Sequence, residues 1–304
     1  MSADAIAADA FAAAKVNFFL HVGGPGADGY HPLCSLMVFA DLGDQVSVAE
    51  AEALVCQVRG PFAGELAGEG DNLVLRAARA LMAHVRTPLS PVGLTLDKRL
   101  PVAAGLGGGS SDAGAALRLL RDAWDLKLTD GELETVAASL GADGAACLWG
   151  RPVMAQGRGE RLSAAPRLPG IDAVLVNPRV AVSTAEVYRR FDAAGMFGEV
   201  APPALPELFE SVEELAGWLA LTRNDLEAAA VSAAPEIGDV LTTLADEPEA
   251  LLARMSGSGA TCFALCAGDV EAEGLAERLE AMRPNWWVRR CRLGGPWDLD
   301  DARG

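Results

Sequence analysis

Eleven small or apolar residues stand together where chemistry is most legible in this sequence. They are Pro101-Val102-Ala103-Ala104-Gly105-Leu106-Gly107-Gly108-Gly109-Ser110-Ser111, and Asp112 leads on into a stretch of helical character. Glycines leave backbone N–H groups uncovered and let a ligand approach closely. A helix beginning here adds unpaired N–H groups and the positive end of its dipole. The combination is an anion site, most often for phosphate. A flexible loop with an N-cap is the plainer alternative, since Ser110, Ser111 and Asp112 all cap well. A cap needs one such residue and no run of glycines, so anion binding is the better reading.

Two common phosphate loops are excluded. A Walker loop requires Lys directly after its last glycine, whereas the next lysine here is Lys127. A dinucleotide fingerprint requires a third glycine where Ser110 stands, and an acidic residue ending the following strand. Asp122 and Asp125 lie instead in the predicted helix.

The elements that must position this loop follow from periodicity. Residues 12–23 alternate as a strand, placing Lys15, Asn17 and His21 on one face. That face is either solvated or a platform for a polar substrate, and the pattern leaves both open. The turn-rich GGPGADGYHP leads to Tyr30 and His31, and two or three strands are expected over 33–59. A helix is expected from Asn72 to about His84, then a strand feeding the glycine loop. Helices follow from Ser110 to about Trp124 and from Asp130 to about Leu140. Asp143, among small residues in GADGAACLWG, reads as a turn aspartate. The second half reads strand, helices, strand–turn–strand, helix, strand, an α+β sandwich of the split-βαβ type. Residues from about Gly294 read as a loose tail.

Composition bounds the partners. The 304 residues carry a net charge of −17, which argues against nucleic acid or an anionic membrane as the main partner. An acidic chain that binds phosphate must use backbone dipoles, with a divalent cation to offset charge. Cys34, Cys56, Cys147, Cys262, Cys266 and Cys291 show no metal-ligand spacing and read as reduced cysteines of a cytoplasmic protein. The first fifteen residues lack a basic leader pattern and do not read as a signal peptide. No uncharged run is long enough to span a bilayer.

Several motifs combine into a resemblance. PVAAGLGGGSSDAGAAL at 101–117 resembles the phosphate loop of the GHMP kinase superfamily. ARMSGSGATCFAL at 253–265 resembles its C-terminal glycine motif, and AKVNFFLHV at 14–22 its N-terminal strand. ADGYHPL at 27–33, GADGAACLWG at 141–150, VSTAEVY at 182–188 and NDLE at 224–227 narrow the match. They resemble the branch that phosphorylates the 2-hydroxyl of a cytidine-diphosphate-linked methylerythritol in non-mevalonate isoprenoid synthesis, giving the 2-phosphate and ADP. Homoserine or mevalonate kinases on the same fold have no base to recognise. A sensor on the fold would have no use for both Lys15 and Asp143.

The resemblance implies a two-domain α+β fold with the site in the cleft between domains. Residues 1–160 would form a ribosomal-protein-S5-like, ATP-binding domain, and 161–304 a ferredoxin-like α/β sandwich. It further implies that the loop from Pro101 to Ser111 binds ATP, with Mg²⁺ as cofactor and Ser110 and Ser111 as weak candidate ligands. Asp143 is implied as general base and Lys15 as its cationic partner. Asn17 and Thr184 are implied to contact substrate, Tyr30 and Tyr188 to clamp the cytosine ring, and His31 to read its polar edge. One departure is visible: Gly144, Ala145, Ala146 and Cys147 stand where the family has Val-Pro and a bulky aromatic. This implies a smaller, looser seat for Asp143.

Overall fold

The computed structural model describes residues 8–68, 70–299 and 301. The leader reading at residues 1–7, and the tail reading at 300 and 302–304, lie outside the described residues. In the first half the chain forms β1 (Ala8–Val22), β2 (Leu33–Glu50), β3 (Val55–Arg59), α1 (Leu73–Val85) and β4 (Val92–Asp97). It continues with α2 (Gly108–Ala123), α3 (Asp130–Ala138), α4 (Gly144–Trp149), β5 (Val153–Gly157) and β6 (Arg161–Ala164). The second half adds β7 (Ile171–Asn177), α5 (Thr184–Ala194), α6 (Val212–Leu219), α7 (Glu227–Ala233) and α8 (Glu236–Ala245). β8 (Ala250–Met255), β9 (Cys262–Cys266), α9 (Asp269–Met282) and β10 (Trp287–Gly294) complete it.

The helix starts are set locally. Asn72 Oδ1 accepts the Leu75 amide at 3.0 Å and caps α1, and Thr129 and Glu132 form a reciprocal capping box on α3. α2 begins two residues before the expected start. Its cap position is Gly107 at φ 62°, with no side-chain cap bond. Ser110, Ser111 and Asp112 are therefore inside the helix and do not cap it.

Among the described residues the strands form one sheet, ordered β3-β4-β2-β10-β7-β9-β8. β2 is its hub: β1 pairs along nearly its whole length, β5 at its start and β4 at its end. The strand continuing the sheet into the second half is β10. It runs along β7 from Trp287 to Leu293 but meets β2 only at Leu293–Ala40 and Gly294–Phe39. The β5–β6 hairpin turns at residues 158–160, so a division at 160 falls at its tip. α2 packs on the first-half sheet through Leu117 and Leu120, both fully buried, each contributing roughly 1.5–3 kcal/mol. The tail is tied down where Trp297 Nε1 donates to the Phe39 carbonyl at 2.8 Å and where Trp297 and Leu299 pack against Phe11, Ala13 and Phe39.

β1 departs from simple alternation. Asn17 pairs with Met37 and Phe19 with Leu36, leaving Phe18 as a bulge. Phe18 and Phe19 both enter the central apolar cluster. The parity after the bulge is reversed, so Leu20 joins Lys15 and Asn17 on the cleft side. Contrary to the alternation, His21 does not share their face. Its Nδ1 lies 3.2 Å from the Val200 carbonyl, away from the cleft.

Candidate active site

A cleft of about 1070 Å³ opens above the glycine loop and is lined by residues of both halves. That volume exceeds what one small ligand usually needs and suits two. Its floor is built by three segments locked together. The Lys15 amide donates to Leu106 O at 2.8 Å, and the Thr261 amide to Ala104 O at 3.0 Å. Ser256 Oγ accepts from the Asn17 amide at 3.1 Å and donates to Gly105 O at 3.0 Å. β1, the phosphate-type loop and the turn between β8 and β9 thus hold one another by main-chain groups and the Ser256 hydroxyl.

On this floor Lys15 Nζ lies 3.2 Å from Asp143 Oδ2 and donates to Asn17 Oδ1 at 2.5 Å. Asn17 Nδ2 donates onward to Ser35 Oγ at 2.7 Å, whose hydroxyl donates to the Phe19 carbonyl at 2.6 Å. Lys15 is buried, while the Asp143 side chain is 33 % exposed. Asp143 precedes α4 without capping it, so its carboxylate retains lone pairs facing the cleft. A short helix follows the aspartate where the sequence suggests a turn. The seat is not loose. A Cβ on Gly144 would stand 2.0 Å from the Ala137 carbonyl, so α4 packs directly on α3. Ala146 is buried against Met37, Val153 and Ala155. Small residues here permit closer packing.

Pro101 through Ser110 line the cleft. Gly108, Gly109 and Ser110 form the first turn of α2, where N–H groups have no intrahelical partner. Ser111 does not belong to this cradle. Its amide bonds to Gly107 O at 2.9 Å, and its hydroxyl is buried off the cleft.

At the other end stand His31, Tyr188, Thr184 and Tyr30. His31 Nδ1 donates to the Gly23 carbonyl at 2.8 Å, and its Nε2 lies 3.2 Å from Asp192 Oδ1. Its ring lies 5.1 Å from that of Tyr188. Burial, then the charges of Asp143 and Asp192, push the Tyr188 phenol up to about 12. Thr184 Oγ1 is 2.9 Å from Ser258 Oγ, joining the start of α5 to the β8–β9 turn. Tyr30 is at the rim, 58 % exposed, with the Arg158 guanidinium 4.1 Å over its ring. The ring in contact with Tyr188 is thus His31, and Tyr30 is partnered by Arg158.

The first-half family model, GHMP kinases N terminal domain, matches residues 72–151, and the GHMP kinases C terminal model matches 204–285. A 4-diphosphocytidyl-2-C-methyl-D-erythritol kinase of Caulobacter sp. (strain K31) is 64 % identical over 95 % of this chain and 99 % of its own. The same kinase of Parvibaculum lavamentivorans is 48 % identical over 93 % of this chain and 97 % of its own. A crystal structure of 4-(cytidine 5'-diphospho)-2C-methyl-D-erythritol kinase superposes with TM-score 0.77 at 33 % identity, covering 95 % of this chain and all of that one. This chain belongs to the 4-diphosphocytidyl-2-C-methyl-D-erythritol kinase family of GHMP kinases. A Cytophaga hutchinsonii homoserine kinase, 18 % identical at TM-score 0.68 and covering 98 % of this chain and 96 % of its own, shares the fold.

This GHMP kinase places further residues around the site that pattern reading passes over. Arg254, buried in β8, donates to the bulged Phe18 carbonyl and to Thr222 Oγ1, both at 2.9 Å, and to Leu219 O and Thr222 O. Burial lowers its guanidinium to about 10. Asn224 donates to Met255 O and Gly257 O, both at 2.8 Å, and so fixes the β8–β9 turn. Beneath the loop, Lys98 Nζ donates to Asp44 Oδ2 at 2.5 Å and to Asp112 Oδ2 at 2.9 Å. Asp44 Oδ1 accepts the amides of Arg99 at 2.5 Å and Leu100 at 2.9 Å. Long sequence separation hides the contacts of all three, though Asn224 opens the NDLE motif and a lone lysine just before a glycine loop is a usable signal for Lys98. Arg158, Arg189 and Asp192 also reach the cleft.

Proposed function

We propose that this kinase transfers the γ-phosphoryl group of ATP to the 2-hydroxyl of 4-diphosphocytidyl-2-C-methyl-D-erythritol, a step of the non-mevalonate isoprenoid pathway. The observation that carries the reading is the Lys15–Asp143 pair, set between the glycine cradle and the aromatic end of one cleft. The acceptor hydroxyl gives its proton to Asp143 as its oxygen bonds to the γ-phosphorus, and the bond to the β-phosphate oxygen breaks to release ADP. Such a base contributes roughly 10²–10⁴-fold, and the remainder comes from alignment and charge stabilisation. Lys15 supplies positive charge at the attacking oxygen, and Asn17 orients its ammonium.

The α2 N-terminus would hold the phosphates, and the apolar slot of Leu66, Leu73, Val74 and Leu96 beside it suits the adenine ring. Tyr188 and His31 form the wall for cytosine, with Tyr30 closing the rim. His31, fixed by its Nδ1 bond to the Gly23 carbonyl and by Asp192 at its Nε2, would present its polar edge to the base. Thr184 and the start of α5 suit the substrate's diphosphate. Among the described residues no cluster of three or more His, Cys, Asp or Glu could cage a metal. Single cleft-facing groups, Asp143 and the Ser110 hydroxyl, fit Mg²⁺ held mainly by phosphates. When bound, the ion would offset phosphate charge.

We place the division between an N-terminal ATP-binding unit and a C-terminal unit near residue 160. A cytoplasmic enzyme is the reading favoured by six free cysteines. The test is an ADP-release assay with the cytidyl substrate, homoserine and mevalonate offered in parallel. Turnover of the cytidyl substrate alone is expected. Turnover of either small alcohol in its place sinks the assignment, and no turnover at all favours a sensor.

A further inference from the structure

A second cavity, of about 640 Å³, lies away from the catalytic cleft. Its origin is topological. β10 follows β7 along its whole length but touches β2 only at its far end. Towards Trp287 the sheet therefore splits. The gap is lined on the first-half side by Phe62 and Arg99, and on the second-half side by Arg179, Trp286, Trp287 and Arg289. Phe62 and Trp287 are buried in the same central cluster, so the floor is apolar and fixed.

The rim is cationic, in a chain whose net charge is −17. Arg179 reaches across the gap, its guanidinium 5.9 Å from the Phe62 ring. Its backbone is held at φ 61° by the buried Asn177, whose Oδ1 accepts the Arg179 amide at 2.7 Å. Arg289 lies 5.7 Å over Trp287, and Arg283 5.1 Å over Trp286. Two acids stand nearby. Asp97 Oδ2 accepts from Arg99 Nη2 at 2.9 Å, and Glu280 is 3.6 Å from Arg289. Arg179 has no acidic partner among the described residues. The rim thus keeps a net positive charge, with the guanidinium groups of Arg99, Arg179 and Arg289 lining it from three separate segments.

We propose that this cavity is a binding site for a small molecule carrying a diphosphate group. Arginine forks match phosphate oxygens in pairs, and the Phe62 and Trp287 rings hold the Arg179 and Arg289 forks in place. A monophosphate carries about −1.5 to −2 and would engage one or two forks. A diphosphate spans all three, and the remaining volume takes an attached organic part. The bound anion ties the two halves of the sheet across the split.

Calorimetric titration with inorganic diphosphate tests this on the full chain. The parent is expected to show two classes of site, the catalytic cleft and the split. The double variant R179Q/R289Q should lose one, weakening it at least tenfold, with kcat and KM for ATP within twofold of the parent. No tryptophan lines the catalytic cleft. A saturable change in tryptophan fluorescence should therefore follow the lost site and shrink in W286F. R179K/R289K, which keeps charge but not the fork, should bind at an intermediate level. If the double variant does not fold, R179Q alone serves, because Arg179 is exposed and without an ion pair among the described residues. Equal stoichiometry in parent and variant overturns the proposal, as does inorganic phosphate binding there as tightly as diphosphate.

Discussion

Two lysine–aspartate clusters adjoin the same glycine loop, and their carboxylates Asp44 and Asp143 differ in how completely their oxygens are used. In one, Asp44 accepts two main-chain amides and one ammonium, and Lys98 is 3 % exposed. In the other, Asp143 has the single ion pair to Lys15 and an open side towards the cleft. The same residue types are thus a structural pin in one place and a reactive pair in the other. Burial and bonding decide which: both oxygens of Asp44 are bonded and out of reach of a substrate, whereas Asp143 has one ion-pair partner and faces the cleft.

The sharpest way to break this comparison is at the bases themselves. Asp143→Asn should lower kcat by about 10²–10⁴-fold and leave the melting temperature nearly unchanged. Near-parental kcat would remove Asp143 from the chemistry. Lys98→Met should do the reverse, leaving two buried carboxylates without their cation at a cost of about 3–5 kcal/mol. That corresponds to a drop on the order of 10 °C in Tm by calorimetry, with kcat of the folded enzyme within tenfold. A Tm drop confined to the Asp143 variant would invert the assignment.

Neighbouring glycines sharpen the contrast. A Cβ on Gly107 would meet Lys15 Cε at 3.0 Å, with φ at 62°, while one on Gly108 would meet Lys98 Nζ at 2.9 Å. Gly107→Ala should therefore reduce kcat, by about tenfold for some 1–2 kcal/mol of left-handed strain and displaced lysine. Gly108→Ala should act mainly on Tm. Equal effects of both on kcat would show that the loop moves as one body and does not separate the two clusters.

The smallest effect concerns pH. Burial raises the Asp112 carboxyl well above its ordinary range, and the charge of Asp44 adds to this while Lys98 opposes it. Burial opposes the charge on Lys98, but Asp112 and Asp44 outweigh it, so its ammonium is also raised. The folded state thus holds the Asp112 proton more tightly than the unfolded chain. Its stabilisation is full below the ordinary carboxylate range and is lost as pH rises through the folded value. Asp112→Asn should flatten Tm against pH on the alkaline side, raising Tm there by about 2–4 °C for roughly 1 kcal/mol. An unchanged slope would assign the dependence elsewhere.

Much of this arrangement was legible because it is local. The glycine loop, the strand carrying Lys15 and Asn17, the capped starts of α1 and α3 and the strand–turn–strand at 250–266 each declare themselves within a dozen residues. What escaped depends on contacts between distant segments. Alternation placed His21 beside Lys15, but the Phe18 bulge reverses parity, and the reason lies in Arg254 and its hold on the Phe18 carbonyl. Asp143 read as a turn because six small residues do not announce a helix. Its seat depends on the fit of Gly144 against Ala137. Asp44, 54 residues before Lys98 in sequence, gave no sign of being its partner.

The place of β10 in the sheet carries a consequence for how the molecule is made. This strand lies between β2, from the first fifth of the chain, and β7, yet it is the final strand among the described residues. On a ribosome, neither neighbour can complete its pairing until residues 287–294 have emerged. The halves can collapse earlier, each on its own helices, with the facing edges of β2 and β7 open to mispairing meanwhile. Contacts spanning some 250 residues must then close in one late event. The cleft draws its walls from both halves, so catalytic competence arrives only with that closure.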